Sequence, residues 1–279
     1  MVTQGHDPVL GIITNDRRAV FQRNIITGVT DLAEKKGFTV IVDSVAEDPL
    51  HPRPISLDLT GLAGLLVIAN VLSDATLREI YATGLPISLI SHYLRDAPIP
   101  AIISDNTLGI AQLVDYLVNR CGCQKIVFIQ GNMEQKDGIK RDLAFRQELI
   151  RHDLEISDDF FLVGGFVPEK ARANLAQFLQ TAPDFDAVLA SDYLMAVAAI
   201  DVLTEHGFSV PEDVCVVGFG DGPEAIERGL TTVGADVIEV GRRGARQLIG
   251  QIEGLHIRGL TVLSTVLVER ATCFPKVAT

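Results

Sequence analysis

The residues of this 279-residue chain best suited to bind or transform another molecule are polar groups that directly follow short apolar runs. Asp105 follows AIIS, Asp192 follows AVLAS, Asn15 and Asp16 follow VLGIIT, and His92 comes just past PISLIS. A carboxylate at Asp105 can accept hydrogen bonds from two ligand hydroxyls, or it can cap the helix that begins near Thr107. Asp192 has the same two readings ahead of the helix that follows it. His92 is either a polar contact or a solvated loop histidine, and Asn15 and Asp16 are either contacts or surface-loop residues. Arg141 is placed at the start of a helix over 140–152, where a cation opposes the macrodipole and therefore needs another partner. No catalytic pattern accompanies these groups. G-x-x-x-x-G-K-S/T, G-x-S-x-G and H-E-x-x-H are all absent, and GFGDG at 218–222 lacks the third glycine of a dinucleotide loop. The chain is not expected to be an enzyme, and no cofactor or metal is assigned to it. Cys121, Cys123, Cys215 and Cys273 include a C-x-C pair instead of C-x-x-C, and are read as reduced, buried thiols in preference to a metal site.

The elements that must position these groups alternate along the chain. Strand-length apolar runs at 9–14, 38–42, 62–70, 86–91 and 101–104 are separated by amphipathic segments of helical period, as in βαβ units with a parallel sheet. After a helix over 107–120 a second series begins, with strands at 125–130, 160–164, 187–190 and 214–218 and helices at 140–152, 168–180 and 194–206. Two sheets fit this order better than one. A helix over 238–253 and a strand over 261–269 come too late for the second series, and are expected to cross back to the first lobe and return. The stretch 43–61 carries three prolines and has no room for a full helix, so a shortened, mobile crossover is expected there. The fold class that follows is α/β, with two doubly wound parallel-sheet lobes. Ligands of open α/β sheets sit outside the carboxyl ends of the strands, which directs the candidate residues toward a common cleft.

Composition narrows the partners. Hydrophobic residues make up 47% and charged residues 22%, which is ordinary for packed cores, while 24 basic against 36 acidic residues give a net charge of −12. Such a chain repels polyphosphate and is a poor nucleic-acid binder by itself. The apolar stretch at 9–13 is too short for a signal peptide, and no run is long enough for a membrane span. A cytoplasmic location without membrane partners is expected.

The run SVPEDVCVVGFGDGPEAIERGLTTV, 209–233, resembles the Val-Pro-x-Asp-Val turn, the strand ending in Val-Gly-Phe/Tyr-Asp-Asp and the Leu-Thr-Thr-Val of the lactose-repressor (LacI/GalR) family. Further pieces are Val9–Ile13 leading to a helix with Gly28, the Ser104-Asp105-Asn106 corner, Arg141–Phe145, and Ala190-Ser191-Asp192 followed by Met195. The resemblance runs from Val9 to Glu269. It implies a periplasmic-binding-protein-like type I fold whose lobes are joined by a three-crossing hinge, with crossings near 117–122, 233–237 and 262–266. The first lobe is then 8–117 plus 237–262, and the second 118–236 plus 263–273.

The resemblance also implies roles. Arg141 becomes a clamp for a carboxylate or vicinal hydroxyls, Asp192 a ligand contact, Phe166 an aromatic face for a sugar or base, and Phe21 a ring closing over ligand. Gly220 and Asp221 stand where the family has two aspartates, so Asp221 keeps one of the two carboxylates. Together with Ser191 in place of an asparagine, this departure argues against a standard hexose.

The expected function is that of an effector-sensing core of a transcription regulator. A small-molecule effector (a sugar, sugar derivative or nucleoside) closes the cleft and changes the output of an attached module. DNA would be reached only through a helix-turn-helix domain, for which the eight residues before the first strand leave no room. The alternative is a solute-binding protein for transport, or a sensory module fused to a signalling kinase. A homodimer is expected, with Leu77, Ile80 and Tyr81 and the segment 227–233 offered as its surface.

Overall fold

The computed structural model describes residues 7–44, 56–181 and 184–275. The chain divides into two compact units, 1–104 with 236–263 and 105–235 with 264–279, and passes between them three times.

The first unit opens with β1 (Val9–Thr14), α1 (Val20–Lys35), β2 (Thr39–Ser44), β3 (Gly64–Ile68), α2 (Asp74–Ala82), β4 (Ile87–Ile90) and β5 (Ala101–Ser104). The second holds α3 (Asn106–Asp115), β6 (Ile126–Gln130), α4 (Lys136–Arg151), β7 (Phe161–Val163), α5 (Pro168–Leu179), β8 (Ala187–Ala190), α6 (Tyr193–Glu205), β9 (Cys215–Phe219), α7 (Pro223–Glu227) and β10 (Thr231–Gly234). The chain then returns to the first unit as α8 (Val237–Ile252) and β11 (Leu260–Leu263), and ends in the second as β12 (Val266–Val268).

Among the described residues each unit has one six-stranded sheet, ordered β2-β1-β3-β4-β5-β11 in the first and β7-β6-β8-β9-β10-β12 in the second. The two orders are the same order repeated. Every neighbouring pair is parallel except β12, which runs antiparallel to β10. Parallel strands need helical crossovers, and these cover the sheet faces, which is why β3, β4, β8 and β9 are buried at every position and read in sequence as apolar runs broken only by Ser88.

Four expectations change. The first crossing lies at Ser104/Asp105, not at 117–122, because α3 packs on α4 and on β9, β10 and β12 of the second sheet. The single late strand over 261–269 is two strands, β11 beside β5 and β12 beside β10, with the third crossing at Leu263/Ser264 between them. Leu77 and Ile80 lie in the first unit's core with Tyr81 packed against it, and of the segment 227–233 only Glu227 and Arg228 are exposed while its apolar part, Leu230–Val233, is buried, so the apolar groups offered as a dimer surface face the inside of each unit. Finally, α4 starts at Lys136, which puts Arg141 beyond the first turn and away from the positive end of the dipole. Of the proline-bearing crossover, 45–55 lies outside the described residues. At its flanks Asp43 accepts hydrogen bonds from the backbone N–H groups of Ser56 and Leu57 and from the Ser56 hydroxyl.

The tightest packing in the first unit is between α1 and α8, where two glycines face the opposing backbone. A Cβ on Gly28 would lie 2.0 Å from the Ile238 carbonyl oxygen, and one on Gly241 would lie 2.2 Å from that of Ile25. Backbone cannot yield as a flexible side chain can. Gly241→Ala is therefore expected to cost about 1–3 kcal/mol despite the better helix propensity of alanine, and to lower the melting temperature. Gly61→Ala, where no heavy atom lies within 4 Å, is expected to be neutral. Equal melting temperatures for the two variants in calorimetry would refute the close approach.

Candidate functional site

The polar groups with the most constrained geometry gather at the carboxyl ends of the second sheet. Arg141, half-buried on α4, donates from Nε to Asn106 Oδ1 at 2.7 Å and from Nη1 to the Ser191 carbonyl at 2.5 Å. Its guanidinium lies 3.6 Å from the centroid of Phe219, the last residue of β9, and 5.7 Å from that of Phe166. Asn106 is itself held by donating to Asp137 Oδ1 at 2.8 Å. Phe219 fits under the guanidinium because α3 carries Gly109 there, where a Cβ would come within 2.4 Å of the ring. Burial lowers the Arg141 pKa from its ordinary value, and the charges of Asp137 and Asp192 oppose that shift.

Among the described residues, two of the five guanidinium donors have acceptors. A second polar group nearby is equally under-used: Ser191 Oγ is buried without a hydrogen-bond partner. Ser191 follows β8, and β6 and β8 flank the point where the strand order of this sheet reverses. That reversal is where open α/β sheets form their ligand crevice.

Phe166 is held in the left-handed region at φ 63°, directly after Gly165 at φ 66°. A bulky residue in that region stores strain, and such positions cluster at ligand clamps. Asp192 caps α6, accepting from Leu194 N at 2.8 Å and Met195 N at 3.3 Å, and Asp105 caps α3, accepting from Leu108 N at 2.9 Å. Asp221 is committed to protein partners. Arg270 grips both its oxygens at 2.6 and 2.9 Å, and Thr232 Oγ1 donates at 2.8 Å. Burial works against ionisation there, yet Arg270 and Thr232 outweigh it and hold the carboxyl below its usual range.

In the first unit, Asn15 Oδ1 accepts from Gln22 Nε2 at 2.9 Å, Asp16 accepts from Arg18 N at 2.9 Å, and Phe21 is half-buried in the first turn of α1. These three follow β1. His92, after β4, is buried at 4% exposure and pairs with Asp74 at 2.8 Å, so it is not a solvated loop histidine.

The arrangement thus brings together Arg141, Phe166 and Asp192, joined by Asn106, Ser191 and Phe219, which sequence reasoning left out of the site. Asn106 and Ser191 were part of recognised corners, so their position was visible, but their bonds to a residue 35 and 50 positions away were not. Phe219 read simply as the end of a buried strand.

Residues 114–273 match the periplasmic binding protein-like domain. The chain belongs to that family, and the curated relatives it resembles are HTH-type transcriptional regulators. It is 27% identical over 264 residues to the HTH-type transcriptional regulator CelR of Thermobifida fusca, covering 91% of this chain and 77% of CelR. It is 25% identical over 251 residues to the HTH-type transcriptional repressor CytR of Escherichia coli K12, covering 88% and 73%. Among solved structures, a CelR–cellobiose complex superposes with TM-score 0.80 at 26% identity over 95% of this chain and 84% of that one. The Lac repressor dimer bound to operator and the anti-inducer ONPF gives 0.82 at 21% identity over 97% and 96%, a likeness of fold. CelR and CytR are both transcription regulators. No helix among the described residues is long and apolar enough to cross a membrane.

Burial raises the Asp192 pKa from 3.8 to about 6, with Glu224 adding to the shift and Arg141 and the α6 backbone N–H groups of Met195 and Leu194 opposing it. A carboxyl that titrates higher when folded takes up a proton on folding, so its contribution makes stability fall as pH rises from about 4 to 6. Asp192→Asn keeps an oxygen for the cap and removes that penalty. Its melting temperature at pH 7.5 is expected to exceed wild type by roughly 2–4 °C, equivalent to about 1 kcal/mol, with little difference at pH 4. A uniform loss at both pH values would instead mean that only the cap matters.

Proposed function

We propose that the chain is the effector-sensing core of a LacI-type transcription regulator, and that it recognises a small polar effector through the group organised by Arg141. The effector class is a sugar, sugar derivative or nucleoside. The observation that carries this reading is a half-buried guanidinium already fixed by Asn106, Ser191 and Phe219, with donors to spare beside the unpartnered Ser191 hydroxyl. Fixing a side chain before ligand arrives removes its ordering cost from binding. Arg141 supplies paired donors to vicinal hydroxyls or a carboxylate, Asp192 accepts from a hydroxyl, and Phe166 offers a ring face to an apolar sugar face or a base. Asp105 and Asp221 have established protein partners and stand behind these three. The CelR–cellobiose complex supports a saccharide as the first ligand to test.

The reading includes binding without turnover, a cytoplasmic location, a DNA-reading module as the output and assembly as a homodimer. Sedimentation at micromolar concentration that gives only a 30.2 kDa species, with and without effector, would count against the dimer.

The experiment is a thermal-shift screen over saccharides, pentoses and nucleosides, followed by calorimetric titration of the hits. Arg141→Ala removes charge-assisted hydrogen bonds worth about 1.5–3 kcal/mol, so affinity is expected to fall roughly ten- to a hundredfold. Arg141→Lys keeps the charge without the fork and should recover only part of the loss. Unchanged affinity in both variants would remove Arg141 from the site. In the first unit, alanine substitutions at Asn15, Asp16, Phe21 and His92 are read in the same titration.

A further inference from the structure

All four cysteines are buried and lie in the second unit. Cys121 follows a π-turn at Tyr116–Arg120, Cys215 opens β9, and Cys273 comes after β12, so three distant segments deliver one sulfur each. The Sγ atoms of Cys121, Cys215 and Cys273 lie within 4.8 Å of one another, and those of Cys121 and Cys273 are 3.0 Å apart although 152 positions separate them in sequence. Sulfurs bound at about 2.3 Å around a trigonal or tetrahedral ion stand roughly 3.8–4.0 Å apart, so small side-chain rotations would accommodate one ion.

The surroundings fit as well. The cluster contains no His, Asp or Glu, and its neighbours include Ile110, Leu117 and Phe128, all fully buried. The Tyr116 hydroxyl beside the cluster donates to the Cys273 carbonyl at 3.3 Å, which ties the segment bearing Cys273 to the turn that delivers Cys121. Contacts of this kind orient the residues that would hold an ion. The turn that delivers Cys121 closes with an N–H of Cys121 to the Tyr116 carbonyl, an irregularity that recurs at functional positions in helices. Cys123 stands at the margin, with its sulfur 3.9 Å from the Asp186 carbonyl.

We propose that Cys121, Cys215 and Cys273 form a binding site for one thiophilic d10 cation, Zn(II) or Cu(I). An all-sulfur donor set selects these ions over oxygen-seeking ones. On binding, metal–sulfur bonds replace S–H bonds, the thiol protons pass to solvent, and no electron is transferred. The site lies at the amino end of β9, while Phe219 under Arg141 lies at the carboxyl end, about 13 Å away at 3.3 Å per residue. The ion would pin the segment after β12 to α3 and β9, and would stabilise the second unit independently of effector.

The test is elemental analysis and native mass spectrometry of the chain, prepared under reducing, anaerobic conditions from zinc-supplemented and copper-supplemented cultures. One ion per chain is expected in at least one arm, and the arm identifies the ion. Removing it with a chelator should lower the melting temperature. Cys215→Ala and Cys273→Ala are each expected to lose the ion, whereas Cys123→Ala keeps it; if one of the first two fails to fold, the other decides. Folded wild-type protein without an ion in either arm, with four reactive thiols after denaturation, would overturn the proposal. So would two reactive thiols, which would identify a disulfide, or loss of the ion in Cys123→Ala.

Discussion

A cation taken partly out of water must find acceptors, and the carboxyl end of the second sheet is arranged around that requirement at Arg141. Burial of the guanidinium is offset by one side-chain amide, one backbone carbonyl and one aromatic face. Each of these makes a demand of its own. Asn106 must begin α3 beside Asp137, Phe219 must end β9 with Gly109 opposite, and Ser191 must turn its carbonyl from the end of β8 toward α4. Uncharged protein partners satisfy the guanidinium only in part. Its remaining donors therefore retain a strong preference for an oxygen-rich ligand, and this links the fold to the proposed sensing function.

The same sheet carries different chemistry at its two ends. Polar and aromatic groups occupy the carboxyl ends of the strands, and thiols in an apolar shell occupy the amino end of β9. A parallel sheet covered by helices makes this possible, because its interior is continuous and dry while its two rims are formed by loops of independent composition. The first unit repeats the strand order, and at the corresponding ends of β1 and β4 its described residues form polar pairs such as Asn15 with Gln22 and His92 with Asp74.

Much of the fold was legible in the sequence because buried parallel strands leave apolar runs. Those at 9–14, 101–104 and 187–190 coincide with the observed strands residue for residue. What failed was where packing decides. Nothing local distinguishes an α3 that ends the first unit from one that begins the second, and Ser264 and Thr265 do not by themselves announce that one extended stretch serves two sheets. Leu77, Ile80 and Tyr81 on one side of α2 were legible as an apolar face, but the face turned inward. At the candidate site, Arg141, Phe166 and Asp192 were singled out through motif resemblance. Asn106, Ser191 and Phe219 were not, because their roles arise from contacts between remote segments. The capping roles of Asp105 and Asp192 were readable locally and are present in the structure.

In the proposed function Arg141 is the anchor of effector recognition. The most direct test is a crystal structure of the chain with the compound selected by screening. A ligand oxygen is expected within hydrogen-bond distance of a guanidinium nitrogen, with Asn106 and the Ser191 carbonyl still in place. A well-ordered ligand bound elsewhere, with the Arg141 contacts unchanged, would contradict it.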